Sequence, residues 1–195
     1  MKREIILTDL NVDAMEKRAA AISNRDYLIL ALMGRRGLRV GEIVGCHETH
    51  HYVRKKTCET VAVQVDLPGV TRSDVRDGGV WVKQKGGSEQ LKTLPRTLGE
   101  TLVAYAEGFH TSERLFPLSE QSVRRLCEHY ARAAGLADWE RVHPHRWRHY
   151  FGTLQARRTG RDPWKVRALM GHKDLRATAK YVENLSPQEE RDLLG

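Results

Sequence analysis

Six side chains whose types suit the cleavage of a phosphodiester are spread along this chain of 195 residues. They are Arg39, Lys85, His145, Arg148, His172 and Tyr181. Arginine can hold two phosphate oxygens at once, imidazole can move protons near neutral pH, and an activated tyrosine hydroxyl can attack phosphorus. The order and spacing of these residues predict an enzyme that breaks a phosphodiester bond without a metal ion.

The two arginines predict a phosphate clamp built from separate elements. His145 and Arg148 are three residues apart on one predicted helix, so their side chains share a face. Arg39 begins another helix, and Glu42 follows three residues later, where its carboxylate can orient the Arg39 guanidinium. Two guanidiniums from different elements can bind both non-bridging oxygens, where negative charge accumulates in the transition state.

Tyr181 is the predicted nucleophile. A free tyrosine has a pKa near ~10, so it needs a base or a strongly positive site to attack near neutral pH. Lys85, at a predicted turn in Lys83-Gln84-Lys85-Gly86-Gly87, could donate a proton to the leaving deoxyribose oxygen; Lys83 is the alternative donor. A covalent phosphotyrosine conserves the bond energy, and the sequence has no carboxylate cluster or nucleotide-binding loop, so we expect neither a metal nor another cofactor.

A second set of residues could in principle bind zinc. Its members are Cys46, His47, His50, His51 and Cys58. Their spacing fits no familiar zinc pattern, which favours a basic loop or hairpin that faces DNA over a metal site.

The charge distribution predicts a polyanionic partner. The chain has a net charge of +8, and residues 141–180 hold eleven Lys and Arg residues against two acidic ones. The alternative is a helical face that is merely solvated. A charged N-terminus, three cysteines and no long apolar run predict a cytoplasmic protein, nucleoid-associated when it binds DNA, with no membrane partner and no small-molecule substrate.

The apolar periodicity and the capping residues predict a mainly helical α+β fold with a small antiparallel sheet of three or four strands. Predicted helices cover about 9–22, 26–35, 40–45, 98–109, 119–134, 144–158 and 163–170, followed by one from Asp174 that carries Tyr181 and a short last helix from Ser186-Pro187. Predicted strands cover 59–65, 80–83 and 90–94, because alternating valines or turn residues mark them.

Four motifs together resemble the catalytic domain of the tyrosine recombinase/integrase family, whose fold is shared with type IB topoisomerases. They are GLRVGEIVG, VKQKGG, HPHRWRHYFGT and LMGHKDLRATAKYV, within a likeness that covers about residues 6–185. The resemblance implies that cleavage leaves a 3′-phosphotyrosine and a free 5′-hydroxyl. It also implies strand exchange through a four-way junction, with double-stranded DNA as partner and self-association into a tetrameric synapse on DNA.

Other functions remain open at this point. The same chemistry would serve a type IB topoisomerase-like enzyme that relaxes one duplex, and a related chain could bind DNA as a regulator without cutting it. The small size and the spacing from Gly171-His172 to Tyr181 disfavour the topoisomerase, and the six filled positions disfavour the regulator, so we expect a site-specific recombinase or integrase.

The chain departs from the family pattern in its organisation. We expect residues 1–195 to form one catalytic domain without the N-terminal core-binding domain, either as a fragment or as a single-domain enzyme. The distance from Arg39 to Lys85 predicts an extra segment at about residues 47–68. The tail at 186–195 is expected to dock on a neighbouring subunit.

Overall fold

A computed structural model describes residues 6–53, 59–76, 78–84, 88–172 and 174–182, and over these ranges it contains eight α-helices and five β-strands. The helices are α1 (Asp9–Ala20), α2 (Asn24–Arg36), α3 (Val40–Val44), α4 (Arg96–Ala106), α5 (Glu120–Ala133), α6 (Pro144–Arg158), α7 (Pro163–Met170) and α8 (Arg176–Val182). The strands are β1 (Cys46–Val53), β2 (Thr60–Leu67), β3 (Val75–Arg76), β4 (Gly79–Lys83) and β5 (Glu89–Thr93). The turn that carries Lys85 and the predicted helix after Ser186 lie outside the described residues.

The central helix α2 begins and ends where its capping residues require. The Ser23 hydroxyl accepts a hydrogen bond from the Asp26 N–H, and Gly37 ends the helix in the left-handed region at φ 71°. Every residue from Leu28 to Gly34 is buried, and α2 packs against α1, α4, α5 and α6. A helical segment that is apolar on all sides belongs in the middle of the core, which is where residues 28–34 of α2 lie.

Helix α6 joins two apolar clusters. Trp147 is completely buried in the main core, whereas Phe151, one turn later, belongs to a second cluster that includes Met170 and Tyr181. The ring of Phe151 lies so close to Gly37 that a Cβ there would be 2.2 Å from Cδ1. The end of α2 is therefore held against α6, which fixes the position of the next segment, beginning at Arg39.

The sheet prediction is confirmed for one sheet and needs a correction for the other. Strands β3, β4 and β5 form a three-stranded antiparallel sheet, in which Val80 pairs with Lys92 and Lys83 with Glu89. The strand predicted from ETVAVQV does not join them. It pairs with β1 in a separate two-stranded ribbon, because alternation in sequence predicts a strand but does not identify its partner.

This ribbon, β1–β2, starts and ends at adjacent glycines. Gly45 has φ 85° and Gly69 has φ 79°, and a Cβ on Gly69 would lie 2.8 Å from the Gly45 nitrogen. The Val70 N–H donates to the Ile43 carbonyl at 2.9 Å and ties the return strand to α3. The residues predicted to be an extra segment between Arg39 and Lys85 thus include an antiparallel ribbon whose two ends meet at one point, and their being an insertion relative to the family stays a prediction. Among the described helices, none has the length and apolar character needed to cross a bilayer.

Candidate active site

Arg39 is held at the start of α3 by Glu42. The Arg39 Nη1 donates to Glu42 Oε1 at 2.8 Å, and the Arg39 backbone N–H donates to Glu42 Oε2 at 2.8 Å. The Glu42 carboxylate is buried, while 45% of the Arg39 side chain remains exposed. One carboxylate therefore orients the guanidinium and leaves it accessible, as the spacing of these two residues predicts.

Arg148 is buried on α6, and its guanidinium bridges the C-terminal ends of α2 and α7. Its Nη1 donates to the Gly37 carbonyl, and its Nη2 donates to the Met170 carbonyl at 2.7 Å. Burial, followed by repulsion from Arg39, lowers the pKa of Arg148 to about 10, so the side chain remains a cation at neutral pH. A guanidinium has five N–H donors, so these two bonds fix its plane without exhausting its capacity.

His172 follows the left-handed Gly171, which ends α7 at φ 65°. Its Nδ1 lies 3.0 Å from the Thr178 hydroxyl on α8. Burial, followed by the positive charges of Arg148 and Arg39, lowers the pKa of His172 to about 4. The imidazole is therefore neutral at physiological pH.

Tyr181 lies next to the His172 ring, with 4% of its surface exposed. The ring centroids of Tyr181 and His172 are 6.2 Å apart, and those of Tyr181 and His149 are 5.3 Å apart. A Cβ on Gly152 would lie 2.6 Å from Tyr181 Cε1, so this glycine makes room for the tyrosine ring. The absence of a side chain at 152 is thus what lets α8 lie against α6.

One cavity of about 710 Å³ brings four of the predicted residues together. Arg39, His145, Arg148 and His172 line it, with Gln84 and Glu120 among the other lining residues. His145 is exposed, and its ring stacks on that of His143 with centroids 6.5 Å apart. The described lining does not include Tyr181, whose ring lies next to that of the cavity-lining His172.

The model of the phage integrase family matches residues 69–187, which is more than half of the chain. The chain belongs to this family. It is 35% identical to tyrosine recombinase XerD of Yersinia pestis over 136 residues, which cover 60% of this chain and 44% of that protein. It is 26% identical to XerC of Yersinia pestis over 192 residues, which cover 89% of this chain and 54% of that protein. The chain thus spans about half the length of these curated relatives.

Solved structures of the integrase family share the fold. The XerA recombinase superposes with a TM-score of 0.71 at 19% identity, covering 99% of this chain and 65% of that one. The catalytic domain of bacteriophage HP1 integrase superposes with a TM-score of 0.59 at 15% identity, covering 98% of this chain and 94% of that one. The XerH recombinase bound to its difH substrate superposes with a TM-score of 0.66 at 16% identity, covering 100% of this chain and 55% of that one. The predicted tyrosine recombinase catalytic-domain fold is therefore confirmed.

Three lysines of this integrase-family chain, Lys83, Lys85 and Lys92, come from strands β4 and β5 or the turn between them. Lys85 lies outside the described residues, so its role as proton donor stays a prediction. Lys83, the alternative, is exposed, with its Nζ 3.6 Å from Glu89 Oε1. Lys92 was missed in the sequence, although it is 3% exposed and close to the site. Lys92 could be predicted to face inward because it pairs with the buried Val80 on β4, but this inference requires the register of the two strands, which the sequence does not provide.

The zinc alternative remains untested. The side chains of His50, His51 and Cys58 lie outside the described part of the structure. His47 is described, and its Nδ1 lies 3.0 Å from Asp66 Oδ1 on the opposite strand.

Proposed function

We propose that this chain is the catalytic part of a site-specific DNA recombinase or integrase, which cuts and rejoins DNA through a 3′-phosphotyrosine. The observation that carries the proposal is the single cavity lined by Arg39, His145, Arg148 and His172, with Tyr181 packed against His172. Membership of the phage integrase family supports it, and so does the similarity to relatives named tyrosine recombinases.

In the proposed mechanism, Arg39 and Arg148 bind the non-bridging oxygens of the scissile phosphate. Their positive charges stabilise the additional negative charge of the pentacoordinate transition state. Because Glu42 and two backbone carbonyls already fix both guanidiniums, little reorganisation is needed when the phosphate enters.

Tyr181 supplies the nucleophile and takes the place of the 5′ oxygen on phosphorus. Its hydroxyl oxygen forms the new bond to phosphorus while the bond to the 5′ oxygen breaks. The phenolic proton passes to His145, and Lys85 protonates the leaving oxygen. Rejoining reverses these steps, with a 5′-hydroxyl as the attacking group. Since Tyr181 is almost fully buried, we expect α8 to shift when DNA binds.

His172 suits a hydrogen-bonding role better than a role as base. A pKa of about 4 makes its imidazole a poor proton acceptor in the DNA-free protein. When the Thr178 hydroxyl donates to Nδ1, the ring carries its proton on Nε2 and can donate it to a phosphate oxygen. A bound phosphate anion would raise this pKa and strengthen the bond.

Trapping of the intermediate tests the proposed function directly. A nicked duplex that contains the repeat nearest to the gene should yield an adduct that survives denaturing detergent, because release of a short strand prevents religation. The adduct should form equally in EDTA, since no step uses a metal. Failure to trap an adduct on any flanking repeat, or a requirement for magnesium or zinc, would overturn the mechanism.

The basic stretch at 141–180 predicts a steep dependence of DNA affinity on salt. Each phosphate neutralised adds about −0.9 to the slope of log K against log salt. Exposed Arg176, beside the cavity-lining Asp174 and Ala177, should contribute, so Arg176→Ala should flatten the slope by about one contact. Arg96→Ala removes the same charge from a side chain that is 91% exposed on α4 and should leave the slope unchanged. Equal slopes for the parent, Arg176→Ala and Arg96→Ala would show that the basic stretch is solvated and does not contact phosphates.

The ribbon and the tail extend the proposal beyond the chemistry. A two-stranded ribbon has the width that the major groove of DNA admits, and the sequence joining its strands includes Arg54, Lys55 and Lys56. We assign the ribbon to DNA contact.

Residues 186–195 are assigned to contact between subunits in a tetrameric synapse on DNA. Deletion of these residues should spare cleavage by one subunit and impair assembly on paired sites.

A further inference from the structure

Lys92 is a buried lysine that the mechanism above does not use. It lies on β5 opposite Val80, with 3% of its surface exposed. Its Nζ is inaccessible to solvent and has no hydrogen-bond partner among the described residues. A lysine on an inward-facing strand position, whose three N–H donors have no acceptor within the described ranges, is costly to bury and calls for a functional explanation.

The Lys92 amine lies directly behind the wall of the cavity. A Cβ on Gly171 would be 2.7 Å from Lys92 Nζ and 3.0 Å from Gln84 Nε2. Gly171 and Gln84 both line the cavity, and the Gln84 amide donates to Gln90 Oε1 at 2.9 Å. The amine therefore lies beside two residues that line the cavity proposed to hold the phosphate.

The charges around Lys92 are predominantly positive. They are Arg36 on α2, Arg39 and Glu42 at α3 and Arg148 on α6, and the neutral imidazole of His172 after α7 is a further titratable neighbour. Glu42 is the single acid in this group, and both of its oxygens already accept hydrogen bonds from Arg39. An ammonium ion at this position is thus repelled by three guanidiniums in the DNA-free protein.

We propose that Lys92 is a positioning residue for the scissile phosphate, a buried amine whose charged form the entering phosphodiester stabilises, so that in alkaline solution DNA binding is coupled to proton uptake. This inference rests on the proposed function, because the anion is the phosphate that Arg39 and Arg148 would hold. A negative charge in the cavity removes the imbalance that otherwise opposes the charged form of the amine. Lys92 then strengthens the field at the phosphate without touching it.

The protonation behaviour of Lys92 agrees with this geometry. Burial, followed by repulsion from Arg36, lowers the pKa of Lys92 to about 8, compared with 10.5 for a free lysine. Between these two values the unfolded chain holds the proton and the folded chain does not, so this residue makes folding more favourable as the pH rises through the window. Below about pH 8 the buried charge opposes folding.

The pH dependence of DNA affinity separates this role from a structural one. All proteins would carry Tyr181→Phe so that binding to one nicked duplex is measured without cleavage. From about pH 8 upward, affinity of the Lys92 protein should fall up to about tenfold per pH unit more steeply than that of Lys92→Met, because only the former takes up a proton on binding. Lys17→Met, which removes an exposed lysine of α1 outside the cavity lining, should retain the steep dependence.

Thermal unfolding supplies the second readout. Lys92→Met should be at least as stable as the parent at pH 7 while binding DNA more weakly, and the stability difference should shrink toward pH 10 as the parent loses its buried charge. Lys92→Gln provides a second neutral variant if methionine disturbs packing. Parallel pH profiles for parent and both neutral variants would overturn the inference. If the protein carrying Tyr181 forms no adduct, the proposed function is overturned instead. The two outcomes are distinguishable, because the inference is tested by pH profiles and the proposed function by adduct formation.

Discussion

Replacing Tyr181 by phenylalanine should abolish the covalent adduct with DNA completely and leave duplex affinity almost unchanged. The substitution removes only the hydroxyl oxygen that would bond to phosphorus. The ring that packs against Gly152 and His149 remains, so the fold should lose little stability. Adduct yield on a nicked duplex and affinity by fluorescence anisotropy would be measured on the same preparations.

Tyr150 offers a matched control for loss of a buried tyrosine hydroxyl. Its hydroxyl donates to Asp9, and burial, followed by this bond, raises its pKa well above the ordinary value. Tyr150→Phe should therefore reduce stability by roughly 1 kcal/mol and still form the adduct. An adduct that persists in Tyr181→Phe would show that another side chain is the nucleophile.

The second large effect is expected at the arginine clamp. Arg148→Lys should slow single-turnover cleavage by about a hundredfold or more, since lysine keeps the charge but cannot bind two phosphate oxygens and two backbone carbonyls at once. Arg39→Lys should act in the same direction, because one ammonium cannot replace the guanidinium that Glu42 orients. Rates measured at saturating protein isolate cleavage from DNA binding.

Arg114 provides the control for loss of an arginine that supports the backbone. It donates to the Val44 carbonyl and does not line the candidate active-site cavity. Arg114→Lys should affect stability with little change in the cleavage rate. Cleavage by Arg148→Lys at a rate close to that of the parent would contradict the two-oxygen clamp.

Helix positions near the site could be predicted closely from sequence because local residues determine them. Pro144 and the pair Asp162-Pro163 mark the starts of α6 and α7, and Gly171 ends α7 in the left-handed conformation. Arg39 and Glu42 could be paired in the same way, since their contact spans a single turn. In these cases the information lies within four residues of the feature.

Properties that depend on distant segments could not be predicted. The partner of β2 is a strand in which histidines and a glutamate interrupt the apolar pattern, so a hairpin could be suggested there but its pairing with β2 could not be predicted. Lys92 resembles any lysine of a small sheet until β4 pairs with β5 and the Gly171 turn covers it. The lowered pKa of His172 likewise arises from burial and from arginines more than twenty residues away in the chain.

The adjacent glycines at the base of the ribbon have an evolutionary consequence. Gly45 and Gly69 nearly touch, so the two chain ends that flank the ribbon are already adjacent. A short linker could therefore replace residues 46–68 without moving the rest of the fold. Lineages could therefore exchange this hairpin for another, or lose it, while the arginines and the tyrosine stay in place. The proposed DNA contact by the ribbon and the bond chemistry would then change independently of each other.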